Sequence, residues 1–555
     1  MSNPSLKQAI LCVDQQKSFI VEAGAGSGKT WTLIESLKYI LKNKTASFLK
    51  NNQRIACITY TNVAKDEISE RIEYNPIVVV STIHEFLWSV IQPYQRELKR
   101  TIIDLNEEDT RKKIENLAES ISNVTIEYSQ YGRNYEEGKI FHDDVLKLAS
   151  ILFSKYQKLV KLVQNKYPII FIDEYQDTEP LVVKLLLQHL LNNNHNFNPA
   201  DSLTLGFFGD SMQKIYNQGV GNIEHSSLQV ITKTENYRCS KAVIALLNKI
   251  RPELQQEPAG KNLEGSVFFF HCNNSNQLQE GNFNKVVEYL GWPSSGLTTK
   301  ILLLTHKGIA SKLNYSNLIG VYDKLGQFSK DRLINKDDAY ARLLFDKVEF
   351  LCALYKTKEY GALIDLFGKE RYRIQSHSDK LKLKALIEGL NTERETKTVG
   401  DVLRYVYENG LFQKPKDVEE FELKISGNDL DENLLKKKEF FYGLMGVSYQ
   451  EVMALHKFIE EKTPFSTKHG VKGAEFDNVL VVIDDASWNQ YNFNILFSGQ
   501  THKPQYERSR NLFYMCCSRA KDRLAVLALS EFTSTSLDTA KLWFGEENVY
   551  DVGLI

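Results

Sequence analysis

Apolar runs along this chain are short, and each ends abruptly in polar chemistry. Ile169, Ile170, Phe171 and Ile172 form an unbroken run, the pattern of a strand buried on both faces, and it stops at the acidic stretch FIDEYQDTEP. Phe19, Ile20 and Val21 form a second run, which stops at EAGAGSGKT. Beyond Thr30 the apolar spacing changes to that of an amphipathic helix, so this region predicts strand, glycine-rich loop, helix. SVFFFHC from Ser266 and KILLLTH from Lys300 read as further strands. Two long stretches, Val90 to Tyr167 and Tyr355 to Lys457, are instead charged with helical periodicity, and runs such as KLKLK and LLKKKEFF read as solvated helix faces.

A glycine-rich loop between strand and helix presents successive backbone N–H groups to a phosphate. Gly24, Ala25, Gly26, Ser27 and Gly28 form such a loop, Lys29 can reach the β and γ phosphates, and the Thr30 hydroxyl can ligate Mg²⁺. The strict pattern has glycine where this chain has Ala23. A phosphate loop needs acidic partners, and Asp173 can hold Mg²⁺ while Glu174 orients and deprotonates a water. A strand that merely ends at a solvated turn would show the same acidic residues, so it is the pairing with the loop that points to nucleotide hydrolysis.

Composition narrows the class. With 555 residues the chain exceeds a single core, and no apolar run reaches the length of a membrane span. The first residues lack the features of an export signal, so a cytoplasmic protein without a membrane partner is expected. Seven cysteines without CxxC spacing fit buried thiols better than a disulfide framework or a zinc module. The net charge of −1 recruits no polyanion globally, so a nucleic acid would have to be held by local basic and aromatic surface.

In order, AGAGSGKT, ITYTNVAKDEISERI, VVVSTIHEFLW, IDEYQDT, GDSMQKIY, ENYRCS, TKHGVKGAEF and FYMCCSRAKDRL resemble the motif series of superfamily 1 helicases of the UvrD/Rep group. The resemblance runs from Gln8 to about Leu529. It implies an α/β fold of two RecA-like P-loop lobes, parallel sheets flanked by helices, with helical insertions. Lobe 1A is expected at 1–90 and 165–264, its insertion 1B at 91–164, lobe 2A at 265–354 and 458–555, and a reduced insertion 2B at 355–457. The implied activity is ATP-dependent movement along single-stranded or partly duplex DNA, 3′ to 5′, with ATP and Mg²⁺ as cofactors and ATP closing a cleft between the lobes.

Residue by residue, the resemblance makes Gln8 the reader of adenine, Tyr237 its stacking partner and Glu475 a ribose contact. Asp173 and Glu174 match the Mg²⁺ and general-base carboxylates, and Gln176 and Gln213 the glutamines that couple phosphate to motor. Arg238 and Arg519 match arginines that clamp the γ-phosphate. Trp31 stands where relatives often carry an arginine against the base, and a core tryptophan would read the same. DNA contacts are implied for Thr59, Tyr60, Thr61 and Asn62, for Thr82, His84 and Phe86, and for Tyr216 and His469. Relatives place a base-stacking tryptophan shortly after the IY pair, where this chain has Asn217 and Gln218.

The stretch after Arg519 is too short for the nuclease domain of some relatives, so no nuclease in cis is expected. A complete hydrolytic set on a pared-down motor resembles the helicase-like subunits of anti-phage defence, which work in hetero-oligomers beside an OLD-family nuclease. The alternative to a helicase is then a DNA-sensing ATPase that regulates a partner nuclease with little unwinding of its own.

Overall fold

Six parallel strands build the first sheet: β1 (Phe19–Ala23), β2 (Ile55–Thr59), β3 (Val78–Thr82), β4 (Ile169–Asp173), β5 (Thr204–Gly209) and β6 (Gln229–Lys233). Their spatial order is β3-β2-β4-β5-β1-β6. The computed structural model describes residues 3–108, 113–129, 133–191, 203–214, 219–272, 282–293, 298–303, 310, 313–326, 329–334, 336, 338–368, 376–427, 432–460, 465–467, 474–485 and 490–555. Contacts divide the chain into two units, Met1–Val267 with Gly499–Arg523, and Phe268–Ser498 with Leu524–Ile555.

The pleat sends alternate residues of each strand to opposite faces. Phe19, Val21, Ile55, Cys57 and Phe171 join Leu33, Leu37, Ile40 and Ile68 on the face covered by helices Lys29–Lys50 and Asn62–Arg71. Ile20, Ala56, Ile58, Ile170 and Ile172 join Val145, Leu152 and Leu159 on the other, covered by helices His142–Lys155 and Gln157–Lys166. Both faces are dry, which is why the strands read as unbroken apolar runs. The 91–164 segment feeds this same core, with Leu98 and Ile102 of helix Gln95–Glu108 buried in it.

Strand order sets the site. Because β5 lies between β4 and β1, the carboxyl ends carrying Asp173, Gly209 and Ala23 stand side by side. An added Cβ at Gly209 would run into the ring of Tyr175 and lie 2.5 Å from Gln176 Oε1, so glycine lets the acidic turn pack onto β5.

The second unit carries a sheet of β7 (Ser266–His271), β8 (Thr299–Leu303), β9 (Phe465–Thr467), β10 (Phe476–Ile483), β11 (Ala520–Ala528) and β12 (Val549–Asp551), in order β9-β8-β10-β11-β7-β12. Phe270, Ile301, Leu480, Val482 and Leu527 form its core. A helical body from Ser316–Asp323 to Tyr449–Ile459 has a separate core that includes Tyr322, Leu344, Val402 and Leu455.

Two expected boundaries shift. The helical body begins near Ser316 rather than at 355, because the helices up to Thr357 bury Leu318, Leu344 and Leu351 in the same core as those after it. Residues 499–523 pack with the first unit rather than the second, since helix Pro504–Cys517 is held there by Arg510, whose Nε donates to the Ile250 carbonyl at 2.9 Å. All seven cysteines are buried and none is in a disulfide. Among the described residues no helix is long and apolar enough to cross a membrane.

Candidate nucleotide-binding site

The loop after β1 is shaped by its glycines and held from behind. Gly26 and Gly28 adopt φ of 71° and 76°, the left-handed region that glycine enters without a Cβ penalty. The Ala25 carbonyl accepts from Asn236 Nδ2 at 2.9 Å and Gln256 Nε2 at 2.8 Å, and the Gly26 carbonyl accepts from the Tyr237 N–H at 2.9 Å. The Ala25 N–H donates to the Tyr514 hydroxyl at 3.1 Å. Ala23, the departure from the strict pattern, is still in β1, paired with Lys233 and buried, so nothing there requires glycine. Ser27 Oγ is buried without a hydrogen-bond partner at the start of helix Lys29–Lys50, where unsatisfied N–H groups and the helix dipole favour an anion. The loop therefore fits a nucleotide phosphate.

Asp173 ends β4 and is 4% exposed, while Glu174 turns the chain with φ 51° and ψ 46°. That turn brings Glu174 Oε2 to 2.5 Å from Lys29 Nζ and 2.6 Å from Gln176 Nε2. Burial works against the Lys29 charge, but Glu174 and then Asp173 outweigh it and hold the ammonium above its ordinary pKa. Gln176 Oε1 accepts from the Asp210 N–H at 3.2 Å, which ties the acidic turn to the end of β5.

Arg519 is 1% exposed. Its Nη2 donates to Gln213 Oε1 at 2.7 Å, and Gln213 Nε2 donates to Asp210 Oδ2 at 2.8 Å. Burial, and then neighbouring Arg238, lower the Arg519 pKa to about 10, which leaves it charged at neutral pH. Arg238 reaches the same corner, with Nη1 donating to the Ser518 carbonyl at 3.4 Å. The loop, both carboxylates, both glutamines and both arginines thus lie in one unit.

Trp31 is 44% exposed and Tyr237 50% exposed, so neither is a core residue. A Cβ at Gly28 would lie 3.8 Å from Trp31 Cβ and 3.9 Å from Tyr237 Cδ2, placing both side chains about the loop's last glycine. Gln8 lies exposed on helix Pro4–Asp14. Glu475, exposed just before β10, belongs to the second unit.

The residues expected to touch DNA divide. Tyr60 and Asn62 are exposed, Thr59 is buried at the end of β2, and Thr61 caps helix Asn62–Arg71 by accepting from the Ala64 N–H at 3.2 Å. Thr82 forms a capping box with Glu85 at the start of helix Ile83–Ile91. His84 lies 5.0 Å from His142, ring to ring, and burial together with His142 pushes its pKa down to about 4. Phe86 corrects the expectation: it is 1% exposed and packs edge-to-face on Tyr167, because helical spacing puts Phe86, Leu87, Val90 and Ile91 on the core side. Tyr216 and His469 lie outside the described residues.

Sequence reasoning passed over Glu22, Arg251 and Tyr514. Arg251 bridges Glu22 and Asp210, and nothing local in the sequence joins Arg251 to Glu22, 229 positions away. Asp210 was visible as part of GDSMQ, and its position directly before the Gln213 turn is the only signal it gave.

A phosphate loop, a paired-carboxylate strand end and converging arginines on a parallel sheet, in this motif order, are features of the ATP-dependent helicases of the UvrD/Rep-like group of superfamily 1, which this chain resembles. The family described as "AAA domain" matches residues 7–219. The Gabija protein GajB of Bacillus cereus is 28% identical over 96% of this chain and 96% of its own length. The ATP-dependent DNA helicase PcrA of Staphylococcus aureus is 25% identical over 43% of this chain and 39% of its own, and PcrA of Staphylococcus epidermidis is 24% identical over the same shares.

Proposed function

We propose that the chain couples ATP hydrolysis to 3′-to-5′ movement along single-stranded DNA, as the motor of an anti-phage defence assembly in the cytoplasm. The observation that carries this reading is the convergence of Lys29, Glu174, Gln176, Gln213 and Arg519 in one hydrogen-bonded arrangement behind the phosphate loop. The likeness to Gabija protein GajB over nearly the whole of both chains supports the defence role, and the partner proposed for it is an OLD-family nuclease.

Thr30 at the helix start and Asp173 at the end of β4 supply the hard oxygen donors suited to Mg²⁺. When bound with nucleotide, that ion neutralises charge on the β and γ phosphates. Lys29 exchanges Glu174 for the γ-phosphate as ATP enters, and the released carboxylate orients a water and takes its proton. Arg519 and Arg238 then meet the charge that develops on the transferring phosphoryl group. Trp31 and Tyr237 flank the base, and Gln8 reads its edge.

Phe86 supports a second reading. With that ring in the core, the base-stacking surface is smaller than the motif implies, and stacking contributes roughly 1–3 kcal/mol per base. A weaker grip on DNA fits a DNA-sensing ATPase that controls its nuclease partner. Strand displacement separates the two: a motor unwinds a duplex with a 3′ overhang in ATP and not one with a 5′ overhang. A sensor hydrolyses ATP on either substrate, leaves both duplexed, and changes cleavage by an added OLD-family nuclease.

A further inference from the structure

Arg251 follows the last residue of helix Lys241–Ile250 and is 3% exposed. Its Nη1 donates to Asp210 Oδ1 at 2.8 Å, and its Nη2 donates to Glu22 Oε1 at 2.5 Å and to Ser211 Oγ at 3.3 Å. The guanidinium lies 5.6 Å from the centre of the Tyr514 ring. Burying a cation is costly unless it is paired and hydrogen-bonded, and here two carboxylates meet that cost.

Both arms of this cluster lead to the nucleotide. Along one, Asp210 holds Gln213 at 2.8 Å, and Gln213 holds Arg519 at 2.7 Å. Along the other, the Tyr514 ring beneath Arg251 carries the hydroxyl that takes the Ala25 N–H of the phosphate loop. Glu22 is itself the residue before Ala23, and it also accepts from Ser211 Oγ at 2.7 Å and from the Tyr175 hydroxyl of the acidic turn. Asp210 and Glu22 would repel each other without the cation between them, and burial already disfavours the charged form of Asp210.

We propose that Arg251 is a positioning residue for ATP hydrolysis: by pinning Asp210 against Glu22 and Tyr514, it fixes the separation between the phosphate loop and the Arg519 guanidinium. The assignment rests on the ATPase reading of this site. Arg251 touches no reacting atom and acts through Gln213 and Arg519. Lysine cannot replace it fully, since one ammonium lacks the planar fork that bridges both carboxylates.

The test measures kcat and KM for ATP at saturating single-stranded DNA, together with the Kd of a fluorescent non-hydrolysable ATP analogue. The variants are Arg251→Lys, Arg519→Ala and the double substitution, each checked for folding by thermal melting. Arg251→Lys is expected to lower kcat about 10-fold while Kd moves less than about 3-fold. In the Arg519→Ala background it is expected to cost nothing further, because both changes disable the same guanidinium. Parental kcat in Arg251→Lys, losses that multiply in the double variant, or a loss confined to nucleotide Kd would each overturn the assignment. So would an Arg251→Lys chain that does not fold, which would make the residue a structural anchor only. A parental chain that turns over no ATP on any DNA would overturn the ATPase reading and this assignment with it. An active parent with an unimpaired lysine variant overturns this assignment alone.

Discussion

Lys29 of the phosphate loop and Glu174 of the acidic turn, 145 residues apart in the chain, meet at 2.5 Å. The two charges neutralise each other, and on the proposed mechanism ATP separates them. Lys29→Ala should abolish turnover and weaken nucleotide binding. Glu174→Gln should bind ATP at least as tightly as the parent, since Lys29 no longer trades an ion pair for it, while hydrolysis slows by about 100-fold or more. Equilibrium binding and single-turnover hydrolysis check both, and parental hydrolysis in Glu174→Gln would remove it as the general base.

Arg519 is buried beside Arg238 and stays charged at neutral pH despite a pKa lowered to about 10. On the proposed mechanism this charge serves the transition state rather than substrate capture. Arg519→Ala should lower kcat on the order of 10³-fold with a much smaller rise in KM, and Arg238→Ala should act in the same direction. Steady-state kinetics with DNA present would show a KM effect instead if these side chains only bind ATP.

His84 has a folded pKa near 4, below the 6.5 of the exposed side chain, because burial and His142 disfavour its charge. Between those values the unfolded chain binds the extra proton, so its contribution to stability is complete above about pH 6.5 and is lost as pH falls toward 4. His84→Gln should flatten that part of the pH–stability curve, seen as a smaller fall in Tm between pH 7.5 and pH 5. DNA affinity between pH 6 and 8 should be indifferent to His84 titration, since the ring is neutral throughout.

Phe86 and Tyr237 should behave oppositely. Phe86→Ala opens a hole in the core of the first sheet and should cost about 3–5 kcal/mol of stability. Tyr237→Ala removes a half-exposed ring and should leave Tm unchanged while raising the KM for ATP several-fold. Melting curves and ATP kinetics on the two variants give the comparison.

What the sequence made legible was local. Gly24 to Thr30 lie in one stretch, and their chemistry needs only a strand before and a helix after, both present. Asp173 and Glu174 were likewise readable at the end of an apolar run. Phe86 was misread because a motif match outweighed the helical period, although Leu87, Val90 and Ile91 already marked the buried side. Trp31 could have been core or base platform, and only the fold shows its exposure. Arg251 and Glu22 stayed invisible because their meaning comes from contacts across more than 200 residues, which neither spacing nor composition reports. The early start of the helical body was hidden for a related reason: helices between Ser316 and Thr357 are apolar enough to read as sheet-unit core, and only shared packing assigns them elsewhere.

The site built around Lys29 and Glu174 is proposed to be a DNA-driven ATPase. Its most direct test is phosphate release from ATP by the full chain, with and without single-stranded DNA, beside Glu174→Gln. Turnover is expected to rise at least about 10-fold with DNA and to vanish in the variant. Turnover that is undetectable under all conditions, indifferent to DNA, or retained in Glu174→Gln would contradict it.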